Sequence, residues 1–394
     1  MKIYTCIPLF LLCSLPLSAK PLLVYILCGQ SNMQGHADIR TFEHIGMDPK
    51  TAPLLKEMQN ADGTPKVIKD VWISSIDSRS ETGEKHGQLT AGYGASETKI
   101  GPEFTFGIYM QKIVKQPILI IKTSWGGKSI NTDFRPPSAG VYQFNDNQIE
   151  AFKKQGKDVA AMKKERAERS GHYYRLMMGH IQKVLGDIKQ VYPDYNEKEG
   201  YRVAGFVWFQ GWNDMVDGGT YQMRGQPGSY DAYSEVLAHF IRDVRKDLDV
   251  KKLPFVIGVM GAGGPIEKYT EGQKRYAGVH GEFRKAMAAP ASMKEFKGNV
   301  HAVLTEKYWD DQLNILTQRQ GKLRNKSREL GKQKLSNAEK KKALDAYKAE
   351  LFTKEELKIL EVGVSNAAYH YLGSSKVFAQ IGKAFAEALD CGCY

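Results

Sequence analysis

The sequence predicts an α/β protein with a doubly wound, mostly parallel sheet. Six short apolar runs rich in β-branched residues recur along the chain, and such runs are typical of strands buried on both faces of a parallel sheet. Amphipathic helical patterns alternate with these runs, as they do in doubly wound folds. The 394 residues are 42% hydrophobic and 25% charged. This ordinary globular composition excludes collagen-like, disordered and disulfide-stapled proteins.

The predicted elements follow one another in a regular order. The strands cover residues 22–28, 71–75, 118–123, 203–209, 255–260 and 300–305. The helices cover residues 104–114, 173–191, 233–248 and 374–389. Residues 78–101, which are rich in Gly, Ser, Thr and Glu, are predicted to form a long loop that serves as one wall of a binding cleft.

The chain is basic, with 56 Lys and Arg against 44 Asp and Glu and a net charge of +12. The basic residues are concentrated in residues 153–170 and 319–358, which have polar helical patterns. We interpret both stretches as solvated helix faces rather than as a nucleic-acid surface. The hypothesis that the chain binds nucleic acid is therefore supported by its net charge alone, and we do not expect a nucleic-acid partner.

The second basic stretch is predicted to be a helical insertion. It contains two capping boxes, a signal that favours helices over disorder. The boxes are Ser336 with Glu339 and Thr353 with Glu356. We predict a Lys-rich helical insertion at about 319–358 within one domain that covers residues 20–394.

The N-terminus has the pattern of a secretory signal peptide. A basic start precedes an apolar run, residues 3–17, which ends in small residues. We predict a signal peptide at 1–19 and a secreted or periplasmic location, with no stable membrane anchor after cleavage. The alternative is a membrane anchor, because residues 22–28 are also apolar, but Lys20 and Pro21 interrupt the run. The few cysteines suggest neither a disulfide framework nor a metal site.

The end of the first predicted strand contains a candidate nucleophile. Residues 29–33, GQSNM, close this strand, and ligands of open α/β sheets bind beyond the carboxyl ends of strands. Ser31 at this position can direct its hydroxyl into the cleft and its N–H towards a developing oxyanion. A turn serine would explain a lone Gly-x-Ser equally well, whereas the whole pentapeptide favours a nucleophile.

Two further strand ends offer donors for an oxyanion. Residues 124–129, SWGGKS, contain paired glycines whose backbone N–H groups suit a tetrahedral intermediate, although a simple turn explains them as well. Residues 208–214, WFQGWND, contain Asn213, whose side chain could donate to the same oxyanion. One such donor is typically worth about 3 kcal/mol of barrier. The two tryptophans of this segment suit either a sugar ring or core packing.

A candidate base precedes the last predicted helix. His370 lies in residues 366–373, NAAYHYLG, and a neutral imidazole is the usual base for a serine nucleophile. Any one of the nine histidines is more often structural than catalytic. The polar loop and the Ser-capped helix that surround His370 distinguish it from the others.

Together these four segments resemble the SGNH (GDSL-like) hydrolases, specifically the sialate O-acetylesterase-domain branch allied to carbohydrate esterase family 6. The resemblance extends from residue 22 to about 389, apart from the insertion. Its most specific motif is GQSNM-x-G at residues 29–35. Supporting segments are GPEF at 101–104, the glycine pair at 126–127, Gln-Gly at 210–211 and H-Y-x-G at 370–373. The resemblance implies a three-layer α/β/α sandwich with a flavodoxin-like sheet, and metal-independent, cofactor-free removal of O-acetyl groups from carbohydrates.

The resemblance also implies a role for each matching residue. Ser31 corresponds to the nucleophile and His370 to the base. The oxyanion donors are Ser31, Gly127 (or Gly126) and Asn213. The substrate-binding residues are Gln30, Gln210, Trp212 and Gly126.

Two positions depart from the pattern of the family. The family usually has an Asp three residues before the His, where this chain has Ala367 next to the uncharged Asn366. Relatives also tend to have Glu after Gln-Gly, where this chain has Trp212. In a triad the acid orients the imidazole and stabilises the imidazolium. Either another residue supplies the acid, with Asp214 as the candidate, or the enzyme uses a Ser–His dyad.

From these residues we expect a secreted carbohydrate O-acetylesterase with a serine nucleophile, acting on acetylated glycans of the sialate or xylan type. The alternative is a catalytically degraded, glycan-binding module of the same fold. The presence of Ser31, Gly127, Asn213 and His370 together favours the enzyme, because a binding module does not need all four.

Overall fold

The computed structural model describes residues 20–76 and 80–390. The predicted signal peptide 1–19, the start of the predicted loop at Ser78, and the C-terminal Cys391 and Cys393 lie outside the described residues. Within them, Cys28 is a buried free thiol, and no helix is both long and apolar enough to cross a bilayer.

A seven-stranded sheet forms the centre of the molecule, in the order β4-β3-β6-β1-β7-β8-β9. All pairs are parallel except β3 with β4 at one edge. A separate two-stranded ribbon pairs β2 with β5. The strands are β1 Leu22–Gly29, β2 Ala37–Asp38, β3 Ile68–Ile76, β4 Glu84–Leu89, β5 Lys99–Ile100, β6 Ile118–Ser124, β7 Tyr201–Phe209, β8 Phe255–Val259 and β9 Val300–Leu304.

Helices cover both faces of the sheet. The α-helices are α1 Ser31–Gln34, α2 Phe42–Gly46, α3 Ala52–Met58, α4 Glu103–Val114, α5 Asp146–Lys154, α6 Val159–Arg169, α7 His172–Gly186, α8 Trp212–Val216, α9 Asp231–Asp247, α10 Glu271–Lys274, α11 Ala277–Ala288, α12 Asp311–Gly331, α13 Asn337–Leu351, α14 Lys354–Gly363 and α15 Ser375–Asp390. Short 3₁₀ helices are Ile39–Thr41, Pro137–Ala139, Ile188–Gln190, Ile266–Lys268, Ala289–Ser292, Thr305–Tyr308 and Ala368–Gly373.

The core is divided by the sheet into two apolar layers. On one face α7, α9 and α11 pack against the strands, and on the other α4 and α15 do so with α2. The apolar stripe of α9 explains its orientation, because Val236, Phe240 and Val244 lie on one face of the helix and are buried in the layer against the sheet. The predicted fold class, a three-layer α/β/α sandwich with a mostly parallel sheet, is confirmed.

One strand of the seven-stranded sheet was absent from the prediction, as were the two short strands of the ribbon, β2 and β5. Residues 84–89, EKHGQL, form β4, although the sequence suggested a continuous loop from 78 to 101. Of these six residues only Leu89 is buried, because β4 is an antiparallel edge strand that pairs with β3 alone. An edge strand with polar side chains lacks the continuous apolar run that identifies the central strands.

The Lys-rich stretch forms the helices α12, α13 and α14. Both predicted capping boxes are present, at the N-termini of α13 and α14. The three helices share a small core of Leu316, Phe352 and Leu360, separate from the two layers of the sheet. They connect the carboxyl end of β9 to the loop before α15. The limits of the domain at 20–394 and of the insertion at 319–358 stay predictions.

Candidate active site

Three sequence segments meet at the carboxyl edge of the sheet because their strands are neighbours in register. Gly29 at the end of β1 is paired with Ser124 of β6 on one side and with Phe209 of β7 on the other. The chain therefore leaves the sheet at three adjacent points, and the residues that follow share one cleft. Glycine is required at position 29, since a Cβ there would lie 2.1 Å from the Phe209 carbonyl oxygen.

Ser31 begins helix α1 directly after this strand end. It is 8% exposed, and its Oγ has no hydrogen-bond partner among the residues that the structure describes. The loop after β6 lies against it, because a Cβ on Gly126 would be 3.9 Å from Ser31 Cβ. Gly126 and Gly127 are exposed, and Gly127 has a φ of +72°, which favours glycine. The backbone N–H of Gly127 has no partner within the described ranges.

Gln30 fixes the orientation of Asn213. Its Nε2 donates to Asn213 Oδ1 at 2.9 Å, so the oxygen end of that amide is occupied. Asn213 Nδ2 has no partner in the described part of the chain and is free to donate. Gln30 Oε1 in turn accepts from the Gly211 N–H at 2.9 Å and from Gln210 Nε2 at 3.2 Å.

Gln30 and Gln210 differ from the expectation that they contact substrate. They are 1% and 2% exposed, and the structure gives them hydrogen bonds to neighbouring protein groups. Gln210 Nε2 also donates to Asp214 Oδ2 and to the Lys128 carbonyl oxygen. Both glutamines therefore position the segments on either side of the cleft, while the half-buried Trp212 and the exposed Gly126 remain accessible to substrate.

Asp214 does not occupy the position of a triad acid. Its carboxylate is fully buried and accepts from the N–H groups of Ile130 and Asn131, from Gln210 Nε2 and from Tyr221 Oη. Burial raises its pKa to about 6. The suggested role on His370 is therefore corrected: all four donors belong to the β6 and β7 loops, and Asp214 joins these loops together.

Asn366 is the group that contacts His370. Its Oδ1 lies 2.9 Å from His370 Nδ1. An amide oxygen can only accept, so Nδ1 carries the proton and Nε2 has the free lone pair that a general base needs. No hydrogen bond links His370 to Ser31 Oγ. The two loops are instead joined by Asn32, whose Nδ2 donates to the Tyr369 carbonyl oxygen at 3.2 Å.

A second histidine covers the ring of His370. His36 is stacked on it with 4.0 Å between the ring centroids and 1° between the planes. Burial and the positive charge of Lys99 lower the pKa of His370 to about 4. Burial, and next the neighbouring His370, lower the pKa of His36 to about 3. Both rings are therefore neutral at neutral pH.

The backbone that follows His370 is strained. Tyr371 and Leu372 both have left-handed φ values, +51° and +60°, which cost about 1–3 kcal/mol each for non-glycine residues. The conformation is held by the buried Tyr371 hydroxyl, which accepts from the Gly261 N–H at 2.7 Å and lies 2.6 Å from Thr305 Oγ1. These partners follow β8 and β9, so the sheet fixes the position of the His370 loop.

Aromatic side chains form a wall of the cleft beside His370. The ring centroids of Trp212 and Tyr369 are 5.5 Å apart, and Tyr369 is 43% exposed. Tyr369 also packs edge-on against His370 at 4.4 Å. An exposed aromatic surface next to a candidate base offers a platform for a sugar ring.

Sequence reasoning missed His36 and a buried ion pair beneath α1. Lys122 Nζ donates to Glu103 Oε2 at 2.7 Å and to the Gln34 carbonyl oxygen at 2.8 Å, at the end of the helix that begins with Ser31. Both side chains of the pair are fully buried. The one available signal was a single charged residue in an otherwise apolar strand. Of the residues the structure describes, no group of three or more His, Cys, Asp or Glu could hold a metal ion.

The chain is similar to one described protein family and to solved structures. A family model described as carbohydrate esterase, sialic acid-specific acetylesterase, matches residues 21–303. A carbohydrate acetylesterase from Xanthomonas citri is similar in structure, with 15% identity and a TM-score of 0.38; the match covers 71% of this chain and 49% of that one. The chain thus spans about half the length of that protein. A protein from Arabidopsis thaliana has 15% identity and a TM-score of 0.38, over 72% of this chain and 86% of that one. A comparison with curated proteins finds no match.

Proposed function

The chain belongs to the sialic acid-specific acetylesterase family of carbohydrate esterases, and from this premise we propose that it hydrolyses O-acetyl esters of glycans with Ser31 as the nucleophile. The observation that carries the proposal is the meeting of three strand ends at Gly29, Ser124 and Phe209. This register brings a free serine hydroxyl, a free glycine N–H and a free amide N–H₂ to one cleft, next to the loop of a neutral histidine.

In the proposed mechanism, Ser31 Oγ attacks the acetyl carbonyl while His370 Nε2 accepts its proton. The N–H groups of Ser31 and Gly127 and the Nδ2 of Asn213 donate to the oxyanion. The imidazolium of His370 then gives this proton to the sugar oxygen as its bond to the acetyl carbon breaks, so the sugar leaves as an alcohol and an acetyl–serine ester remains. Water, deprotonated by the same imidazole, attacks this ester and releases acetate, which returns Ser31 to its starting state.

The uncharged Asn366 favours a second candidate, a glycan-binding module of the same fold. A neutral amide holds the imidazole in the correct tautomer but does not stabilise the imidazolium that forms during catalysis. Because the amide of Asn366 still orients the imidazole and only the negative charge is missing, we expect a slow esterase rather than an inactive protein.

The test is acetate release from p-nitrophenyl acetate, acetylated xylan and an O-acetylated sialate. Loss of turnover in Ser31→Ala would support the serine mechanism, provided that Ser96→Ala, an exposed serine of the loop before β5, keeps full activity. Equal thermal melting of both variants would exclude misfolding. A wild-type chain that binds these glycans but releases no acetate would instead support the binding module, and the best substrate of the three would give the acetylated sugar.

We also propose that the mature chain begins near residue 20 and acts outside the cytoplasm. The support is the N-terminal sequence alone. Cell fractionation followed by N-terminal sequencing of the recovered protein tests this proposal. Recovery of the chain in the cytoplasm with its N-terminus intact would contradict it.

A further inference from the structure

Nearly all of the net positive charge of the chain lies in two segments. Residues 153–169 contain seven Lys and Arg against three Asp and Glu, and residues 319–350 contain eleven against four. Together they hold +11 of the net charge of +12, so the other residues are close to neutral. A charge needed for solubility alone would be spread over the surface with both signs mixed.

Both segments are attached at the carboxyl edge of the sheet, where Ser31 lies. The first covers the end of α5 and all of α6, in the connection that leaves β6 and enters α7. The second covers most of α12 and α13, in the connection that leaves β9 and enters α15. In the sheet, β6 is next to β1 on one side and β9 is the third strand on the other. The two basic segments therefore start on opposite sides of the candidate nucleophile.

The charges in the second segment have almost no acidic partners. Among the described residues, the ion pair of Arg319 with Glu356 is the only one made by a basic residue of 319–350. Lys322, Lys341 and Lys342 are exposed. Like charges along two neighbouring helices repel one another, and an anionic partner would relieve this repulsion.

We propose that these two segments, here called the basic arms, bind an anionic polysaccharide, and that the acetylated substrate is therefore a glycan that carries carboxylate or sulfate groups. This inference rests on the proposed function and names its substrate class. The esters would reach Ser31 while the anionic groups of the same chain contact the arms on either side. The aromatic wall of Trp212 and Tyr369 provides an uncharged surface for the sugar ring that carries the ester.

Two other anionic partners fit the arms less well. Helices that bind a membrane surface insert an apolar face, but Leu335 is the one large exposed hydrophobic residue in 319–350. Proteins that bind single-stranded nucleic acids use exposed aromatic side chains, on which the bases stack. Tyr347, the one aromatic residue of that segment, is half-buried beneath Lys326.

The test is affinity electrophoresis of the full chain in gels that contain polygalacturonate or, for comparison, neutral xylan. We expect polygalacturonate to retard the wild type and K322E/K341E/K342E to bind it about tenfold more weakly, because charge reversal replaces attraction with repulsion. The same change at the opposite edge, K198E/K251E/K252E, alters net charge equally at exposed lysines before β7 and β8 and should leave binding unchanged. Raising the salt concentration should weaken wild-type binding.

Equal effects of the two triple variants would overturn the proposal, as would equal retardation by neutral xylan. Stronger binding to DNA or to phosphatidylglycerol vesicles than to polygalacturonate would also overturn it. Hydrolysis of p-nitrophenyl acetate reports separately on the proposed function. A wild type without this activity that still binds polygalacturonate through the arms would contradict the esterase and leave the arms as a polyanion-binding surface.

Discussion

The stacked ring of His36 covers one face of the candidate base His370. Because burial depresses the pKa of His370 to about 4, its imidazole stays neutral well below neutral pH. We therefore expect kcat/KM to stay constant from pH 8 down to about 5 and to fall only as the pH approaches 4. His36→Ala would admit water to the face of the ring, and the reduced burial would raise the pKa of His370 towards 6.5 and move the acid limb upwards.

The control for this prediction is His36→Phe, which keeps a stacked ring without a second titratable group. This variant should preserve the acid limb near 4 and most of kcat. The test is to measure pH–rate profiles of the wild type, His36→Ala and His36→Phe and to compare the pH of their acid limbs. An acid limb near 6.5 in the wild type, or identical profiles for the Ala and Phe variants, would contradict a role for the stacked ring.

Asn366 is the residue at which charge could be restored. Its Oδ1 already lies 2.9 Å from His370 Nδ1, so Asn366→Asp adds a negative charge without a change of size. We expect kcat/KM to rise about tenfold or more, because the carboxylate stabilises the imidazolium in a serine triad. The pKa of His370 should rise as well, and the acid limb with it. A steady-state pH profile measures both effects, and an unchanged rate would argue that His370 is not the base.

The strained 3₁₀ helix Ala368–Gly373 depends on one hydroxyl group. Tyr371→Phe would leave the buried Gly261 N–H without its acceptor, and we expect a loss of about 1–3 kcal/mol in the free energy of unfolding. The left-handed residues would then be held less tightly, so kcat should fall as well. Tyr201→Phe, which alters an exposed tyrosine at the start of β7 and away from the cleft, is the matched control. Urea unfolding and initial rates on both variants test this, and equal stability would show that packing alone holds the helix.

The elements differ in how far the sequence predicted them. Central strands such as β1 and β7 were predictable because burial on both faces demands a continuous apolar run. Strand β4 was not, since an edge strand pairs with one neighbour and keeps polar side chains. The site was likewise predictable only in part. Ser31 and Asn213 could be identified because they follow the ends of predicted strands. The contact between Asn366 and His370 depends on the conformation of the folded loop, which the spacing of residues along the sequence does not reveal.

At the scale of the whole molecule, buried neutral histidines make stability depend on pH. Burial is the main cause that lowers the pKa of His36 to about 3 and of His180, His280 and His370 to about 4, against 6.5 in the unfolded chain. Between pH 6.5 and 4 the unfolded state binds more protons than the folded state, so acidification favours unfolding. Asp214 acts in the opposite direction, because its raised pKa of about 6 lets the folded state take up a proton before the unfolded chain does.

These four histidines, together with His44, whose pKa is also lowered by burial, outweigh this one carboxyl group. We therefore expect the free energy of unfolding to fall steadily as the pH is lowered from about 6.5 to 4. Stability should be nearly constant between pH 7 and 8. His280→Asn removes one of the four groups, and its stability should therefore fall less steeply than that of the wild type over the same interval. Urea denaturation at pH 7.5, 6, 5 and 4.5 measures both slopes. A flat wild-type profile would show that these histidines titrate at the same pH in the folded and unfolded chains, and it would contradict the lowered pKa of His370.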